Sequence, residues 1–194
     1  MEKFAKIIRI ITVAPVMSLI LCLLLYFNVE NCFDLNCLLY VCIALLSIGT
    51  SLAYLIERIW HPYQKYHPYL SARMAERELA VKFSFVCYGV LFIIIFCTSQ
   101  SVLLKQMVLT FFLSVSCLFL FSNISNVNPS GHLCGVVGPV LFLSYAISLY
   151  FLFALLLVMF TTWSSLKLKR HTILEVCLGA IIPLVSFIIS ITVV

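Results

Sequence analysis

Long apolar runs alternate along this chain with short polar breaks, and a helix needs about 17–25 apolar residues to span a bilayer. The pattern predicts helices over residues 7–27, 37–55, 83–97, 107–121 and 172–193. A polar loop over 28–36 carries Glu30 and Asp34. The one sizeable polar stretch, 57–82, holds Arg58, His61, Lys65, His67, Arg73, Glu76, Arg77, Glu78 and Lys82, with Pro62 and Pro68 near its start. From Ser71 onward it lacks Gly and Pro, so it can run as helix into the next span. Residues 98–106 read as a turn with Lys105, and 122–130 as a loop rich in Ser and Asn. The apolar stretch 132–168 has length for two short crossings, about 132–148 and 150–166, with a tight turn near Ser148. Pro183 is a kink that neighbouring membrane helices can tolerate. No internal repeat is evident.

Composition turns this pattern into a class. Of the 194 residues, 64% are hydrophobic and 10% charged, against about 45–50% and ~25% in soluble domains. The expectation is an all-α, polytopic transmembrane helix bundle of six to seven spans, one domain over residues 1–194. Lys3, Lys6 and Arg9 precede an apolar run that is too long for a signal peptide and lacks a small-residue cleavage site, so it reads as a retained first helix. None of the nine cysteines forms a C-x-x-C pair and most lie in apolar runs, where they act as small hydrophobes. Cys32 and Cys37 flank a loop, but nothing demands that they pair. No aromatic-basic pattern points to nucleic acid.

The net charge of +5 matters instead for topology and for anionic headgroups. On the predicted crossings, eleven of the twelve Lys and Arg residues fall on one face and only Lys105 on the other. The positive-inside rule makes that face cytoplasmic, in the cell membrane.

Two polar breaks carry candidate chemistry. In Ser130-Gly131-His132, glycine allows close backbone approach, a helix N-terminus binds phosphate and histidine exchanges protons near neutrality. A plain N-cap serine beside an interfacial histidine accounts for the same tripeptide. After Lys167-Leu168-Lys169-Arg170-His171, Glu175 follows His171 by four residues, so on a helix the two share one face. A carboxylate on one ring nitrogen orients the other as base or nucleophile. The alternative is a topogenic basic cluster with Glu175 complementing a helix dipole, although a carboxylate at membrane depth usually faces a polar partner.

Together, Pro129-Ser130-Gly131-His132 and His171 with Glu175 in the final helix resemble the type 2 phosphatidic acid phosphatase superfamily, which includes membrane lipid phosphatases and, on the same helical core, soluble vanadium haloperoxidases. The likeness covers about 128–179. Ser130-Gly131-His132-Leu133-Cys134-Gly135 and Leu168-Lys169-Arg170-His171-Thr172 look like a small prokaryotic branch. The resemblance implies a phosphatidic acid phosphatase/haloperoxidase-like core that hydrolyses a lipid phosphomonoester or pyrophosphate without metal or cofactor. His171 would form a phosphohistidine, Glu175 would orient it, and His132 would protonate the leaving oxygen. Ser130 and the Gly131 N–H would hold phosphate oxygens. Phosphatidic acid, phosphatidylglycerophosphate and polyprenyl (pyro)phosphate all fit as substrates within the bilayer.

The chain departs from the family pattern at three places. The Lys, six residues, Arg-Pro element is absent: Ala72 stands where the arginine is expected after Lys65, and Arg73 lies one place late without a proline. Ser165 stands where an arginine is expected before His171, and Glu175 replaces an aspartate. Phosphate neutralisation is then expected from Arg73, Arg77, Lys167, Lys169 or Arg170. Lys167, one helical turn before His171, is the best-placed substitute, and Arg77 is next. An inactive relative that binds phospholipid headgroups, or a small membrane transporter or scaffold, are the alternatives.

Overall fold

The computed structural model describes residues 2–33, 35–69, 71–125 and 127–194, so Asp34 of the predicted polar loop lies outside the described residues. These form helices and turns, with no strand among them. α1 (Glu2–Ile11) and α2 (Ala14–Asn28) meet at a 47° bend, which corrects the single helix predicted over 7–27. Pro15 is the cause. In a continuous helix its ring would clash with the Ile11 carbonyl, which would also lose its N–H partner. The break falls at Thr12–Val13, where Thr12 closes α1 by donating its N–H and Oγ1–H to the Ile8 carbonyl at 2.9 and 2.8 Å. Pro15 then sits in the first turn of α2, where no N–H is needed.

α3 (Asn36–Trp60) outruns its prediction and contains one π-helical turn, Ala44–Ile48. Glu57, fully buried near its end, accepts the backbone N–H groups of Tyr63 and Gln64 at 2.8 Å each and so caps the short α4 (Pro62–Tyr66). α5 (Ala72–Cys97) starts at a Ser71 N-cap and runs unbroken from the basic segment into the apolar one, as the lack of Gly and Pro predicts. α6 (Val102–Ile124) extends beyond its predicted bounds at both ends. α7 (Gly131–Ala146) and α8 (Leu149–Lys167, opening with a 3-10 stretch, Leu149–Ala154) divide the long apolar stretch at Ser148, where the turn was expected. α9 (Ile173–Val193) carries Pro183 inside it.

α3, α5, α6, α8 and α9 are each long and apolar enough to cross a membrane, and α1 with α2 would make a sixth span. The expected seventh is α7, with 16 residues. At 1.5 Å per residue it is about 24 Å long, short of a hydrocarbon core of about 30 Å. It can be short because it is central. From Leu133 to Val140 every residue is buried, so protein rather than lipid surrounds it.

Lipid tails are as apolar as leucine, so helices in a bilayer associate through close packing and polar links. Both occur here. A Cβ on Gly135 of α7 would lie 2.5 Å from the Ala14 Cβ, so α2 and α7 meet nearly backbone to backbone. Ser18 Oγ pairs with Ser47 Oγ at 3.0 Å, and Thr110 Oγ1 with Ser190 Oγ at 2.7 Å. Phe85 stacks on Phe119 at 4.8 Å between α5 and α6. Cys22, Cys37, Cys42, Cys87, Cys97, Cys117, Cys134 and Cys177 are free thiols.

Candidate functional site

The two polar breaks come together through Glu175. Thr172 is the N-cap of α9: its Oγ1 accepts the Glu175 N–H at 3.3 Å, while Glu175 Oε2 accepts the Thr172 N–H at 2.8 Å, a reciprocal capping box. Glu175 Oε1 accepts the Asn128 N–H at 3.1 Å, and the Glu175 carbonyl accepts the Ser130 N–H at 2.8 Å. One residue therefore ties the 127–130 loop to the start of α9. Gly179, one turn on, makes this approach possible, because a Cβ there would lie 2.6 Å from the Ser130 carbonyl oxygen.

His171 precedes the N-cap, so it is not on the α9 helix, and the i, i+4 geometry expected for it is not the one that operates. The carboxylate curls back instead. Glu175 Oε2 lies 3.4 Å from His171 Nδ1, within ion-pair reach but too poorly aligned for a hydrogen bond. The largely buried His171 imidazole has its pKa lowered from 6.5 to about 4. Burial is the main cause, the nearby Arg77 and Arg9 charges act in the same direction, and Glu175 opposes them. His171 is thus neutral at physiological pH.

The end of α8 explains where its cations go. Lys169, at φ 49°, takes the left-handed position that closes the helix, with Lys169 N–H donating to Leu166 O at 3.0 Å and Arg170 N–H to Ser165 O at 2.9 Å. This turn aims Arg170 and His171 into a cavity of about 430 Å³. Lys167 and Lys169 are exposed and do not line it, which corrects their expected role. The helical-turn argument for Lys167 fails because α8 ends at that residue. Ser130 is also outside the cavity: its side chain is fully buried against Gly179, and its Oγ has no hydrogen-bond partner among the described residues. It does not make the N-cap bond either.

His132 and His171 both line the cavity, with Gly131 at the start of α7, Arg73 and Arg77 from α5, and Arg170. A Cβ at Gly131 would meet nothing within 4 Å, so the space over that backbone is open. Arg77 Nη2 donates to Pro129 O at 3.0 Å and Arg73 Nη2 to Arg170 O at 3.2 Å, two carbonyls of the loops that bear the histidines. A fourth guanidinium comes from Arg9, at the end of α1. Its Nη2 lies 3.3 Å from His132 Nδ1 and its Nη1 donates to Ser165 Oγ at 3.3 Å. Arginine can only donate, so Nδ1 of His132 is the acceptor and its neutral ring carries the proton on Nε2.

Among the described residues none of these four guanidinium groups forms an ion pair with a carboxylate, although Glu76 also lines the cavity. Lys82, by contrast, is bound to Glu78 at 2.8 Å and to Tyr63 Oη, and lies over the Tyr63 ring. It is part of the α4–α5 junction. A second, apolar cavity of about 90 Å³ continues from the first, sharing Tyr54, Val81, Leu118 and His132 and reaching Gly138 and Pro183 deep in the bundle. Arg9, Tyr54 and Glu76 are among the wall residues that sequence reasoning did not assign to the site. Among the described residues, no three His, Cys, Asp or Glu side chains converge as metal ligands. The chain matches no protein-family model, no curated protein and no solved structure.

Proposed function

We propose that this protein is a membrane lipid-phosphate phosphatase that hydrolyses a phosphomonoester or diphosphate headgroup through a phosphohistidine. One observation carries the reading: two neutral-capable imidazoles share a cavity wall with four guanidinium groups that have no carboxylate partner among the described residues. Such a cluster repels itself and is relieved by an anion with several oxygens, which arginine holds bidentately. The adjoining apolar cavity suits a ligand whose anionic head carries an apolar tail.

In this mechanism His171 Nδ1 faces Glu175, which leaves Nε2 as the nucleophile. Nε2 attacks phosphorus, a P–N bond forms and the bond to the leaving oxygen breaks. The Nε2 proton of His132 passes to that oxygen. Water then attacks phosphorus and gives its proton to His132, and phosphate departs with restoration of both rings. The guanidinium groups and the open N–H end of α7 stabilise charge on the non-bridging oxygens, where most phosphoryl-transfer catalysis resides.

The test is phosphate release by purified protein in detergent, with chelator present, from phosphatidic acid, phosphatidylglycerophosphate and polyprenyl (di)phosphate. Turnover of at least one is expected, together with an acid-labile, base-stable phosphoenzyme. Binding of these lipids without turnover would identify a headgroup-binding relative instead.

A further inference from the structure

α1 is a short amphipathic helix packed on α8, and its placement brings Arg9 to the site. Ala5 and Ile8 are buried beneath it, while Phe4, Ile7, Ile10 and Ile11 face outward with Lys3 and Lys6. α8 holds it: Ser164 Oγ donates to the Ala5 carbonyl at 2.7 Å, and Phe4 lies against Trp163 at 6.1 Å between ring centroids. The break before Pro15 then turns the last residues of α1 toward the cavity. The guanidinium of Arg9 comes to rest between Ser165 on α8 and His132 on α7. Ser165 is fully buried and small. It leaves the room that the guanidinium fills, and it offers only one weak neutral acceptor for a charge with five donors.

We propose that Arg9 is a phosphate-binding residue of this site, delivered by α1 to the place that α8 leaves empty at Ser165, and that the same guanidinium fixes His132 with its proton on Nε2. The proposal rests on the phosphatase reading for its catalytic half. Its binding half, a phosphoryl anion held by Arg9, stands without turnover. Arg9 has donors left after its contacts to Ser165 and His132, no carboxylate partner among the described residues, and a side chain on the cavity wall. Because α1 bears the residue, the order of the site depends on α1 staying docked on α8.

The experiment compares wild type, Arg9→Ala, Arg9→Lys and Arg9→Ala/Ser165→Arg in detergent, reading inorganic phosphate affinity by calorimetry and lipid-phosphate turnover, with thermal unfolding as a control for folding. Loss of one preorganised oxyanion donor typically costs about 10²–10³-fold in turnover, which is the expected loss in Arg9→Ala. Phosphate affinity should fall at least about tenfold, as expected for a charge-assisted hydrogen bond lost. Ser165→Arg in the Arg9→Ala background should bring affinity back to within about threefold of wild type, since it places a guanidinium in the vacated space. If Arg9→Ala does not fold, Arg9→Lys carries the test, with an expected loss of several-fold because it keeps charge and loses the fork. Wild-type phosphate affinity in a folded Arg9→Ala or Arg9→Lys protein overturns the proposal, as does a double variant no better than Arg9→Ala. A wild type that binds phosphate through Arg9 but turns over no lipid leaves the Arg9 assignment standing and removes the phosphatase reading.

Discussion

At the scale of single residues, the proposed mechanism gives the two histidines separable tasks. His171→Ala should abolish turnover and the trapped phosphoenzyme together. His132→Ala should slow turnover by the roughly 10²–10⁴-fold typical of lost acid–base catalysis, while phosphoenzyme still forms. Equal turnover in His171→Ala and wild type would show that another group is the nucleophile. The depressed His171 pKa adds a pH test. Between about 4 and 6.5 the unfolded chain binds a proton at this ring that the folded chain does not. Stability through this group therefore falls as pH drops across that window and is steady above it. The imidazole carbon shifts of labelled histidine, assigned by their loss in His171→Ala, should titrate with a midpoint near 4. A midpoint near 6.5 would mean that the ring is solvated and its nucleophilic form is not held by the site. Local motifs made His132, His171, Gly131 and the α5 arginines readable in the sequence. Arg9 was readable only as a topogenic cation, because no spacing rule joins residue 9 to residue 165. Ser130 shows the opposite limit: its type fits a phosphate donor, but the neighbour that pulls it aside is Gly179, forty-nine residues on.

At the scale of elements, the breaks matter more than the helices. Apolar runs located the helices and the turn at Ser148, since burial in lipid sets a minimum length and polar residues interrupt it. They did not locate the break in 7–27. Pro15 signalled it, but near the start of an apolar run such a proline also reads as a tolerated membrane proline. The Thr172-x-x-Glu175 capping signature was present in the sequence. Recognising it would have ended α8 before Lys169 and removed Lys167 from the site. The contact of α9 with the 127–130 loop gives the prediction for this scale. In Gly179→Ala, the new Cβ would lie 2.6 Å from a backbone oxygen that Glu175 and α7 hold in place. Something must shift, at a cost of about 1–3 kcal/mol for overpacking. The Glu175 clamp moves with it, so turnover should fall more than tenfold along with the melting temperature, an effect on the order of 1.4 kcal/mol or more. Gly89→Ala is the matched control, since its Cβ would meet only the Phe112 ring at 3.5 Å, and it should leave both readouts near wild type. Equal behaviour of the two variants would mean that the loop can recede from α9 freely and that its clamp does not set the site.

At the scale of the whole molecule, the cavity lies at one end of the bundle, where α1, α3, α6 and α8 finish and α2, α5, α7 and α9 begin. Arg9, Arg73, Arg77 and Arg170 gather there. α5 has 26 residues and carries the chain about 39 Å at 1.5 Å per residue. Lys105 follows in the first turn of α6, so it sits at the opposite end. The cations in the cavity would be required whichever way the site faced, and so they say little about orientation. Lys3, Lys6 and Arg58 do not line the cavity yet share its end, and their bias is the topogenic part. By the positive-inside rule the expected orientation has the cavity on the cytoplasmic side, where it would meet lipid phosphates made inside the cell. Orientation is measured in a variant whose nine cysteines are replaced by serine or alanine, with a single cysteine introduced by Lys3→Cys or Lys105→Cys. A thiol reagent that cannot cross the membrane, applied to intact cells, should label Lys105→Cys and leave Lys3→Cys unlabelled until the cells are opened. Labelling of Lys3→Cys from outside would invert the molecule. The cavity would then open on the outer face, and its substrate would be a lipid phosphate delivered or exposed there rather than one met at its site of synthesis.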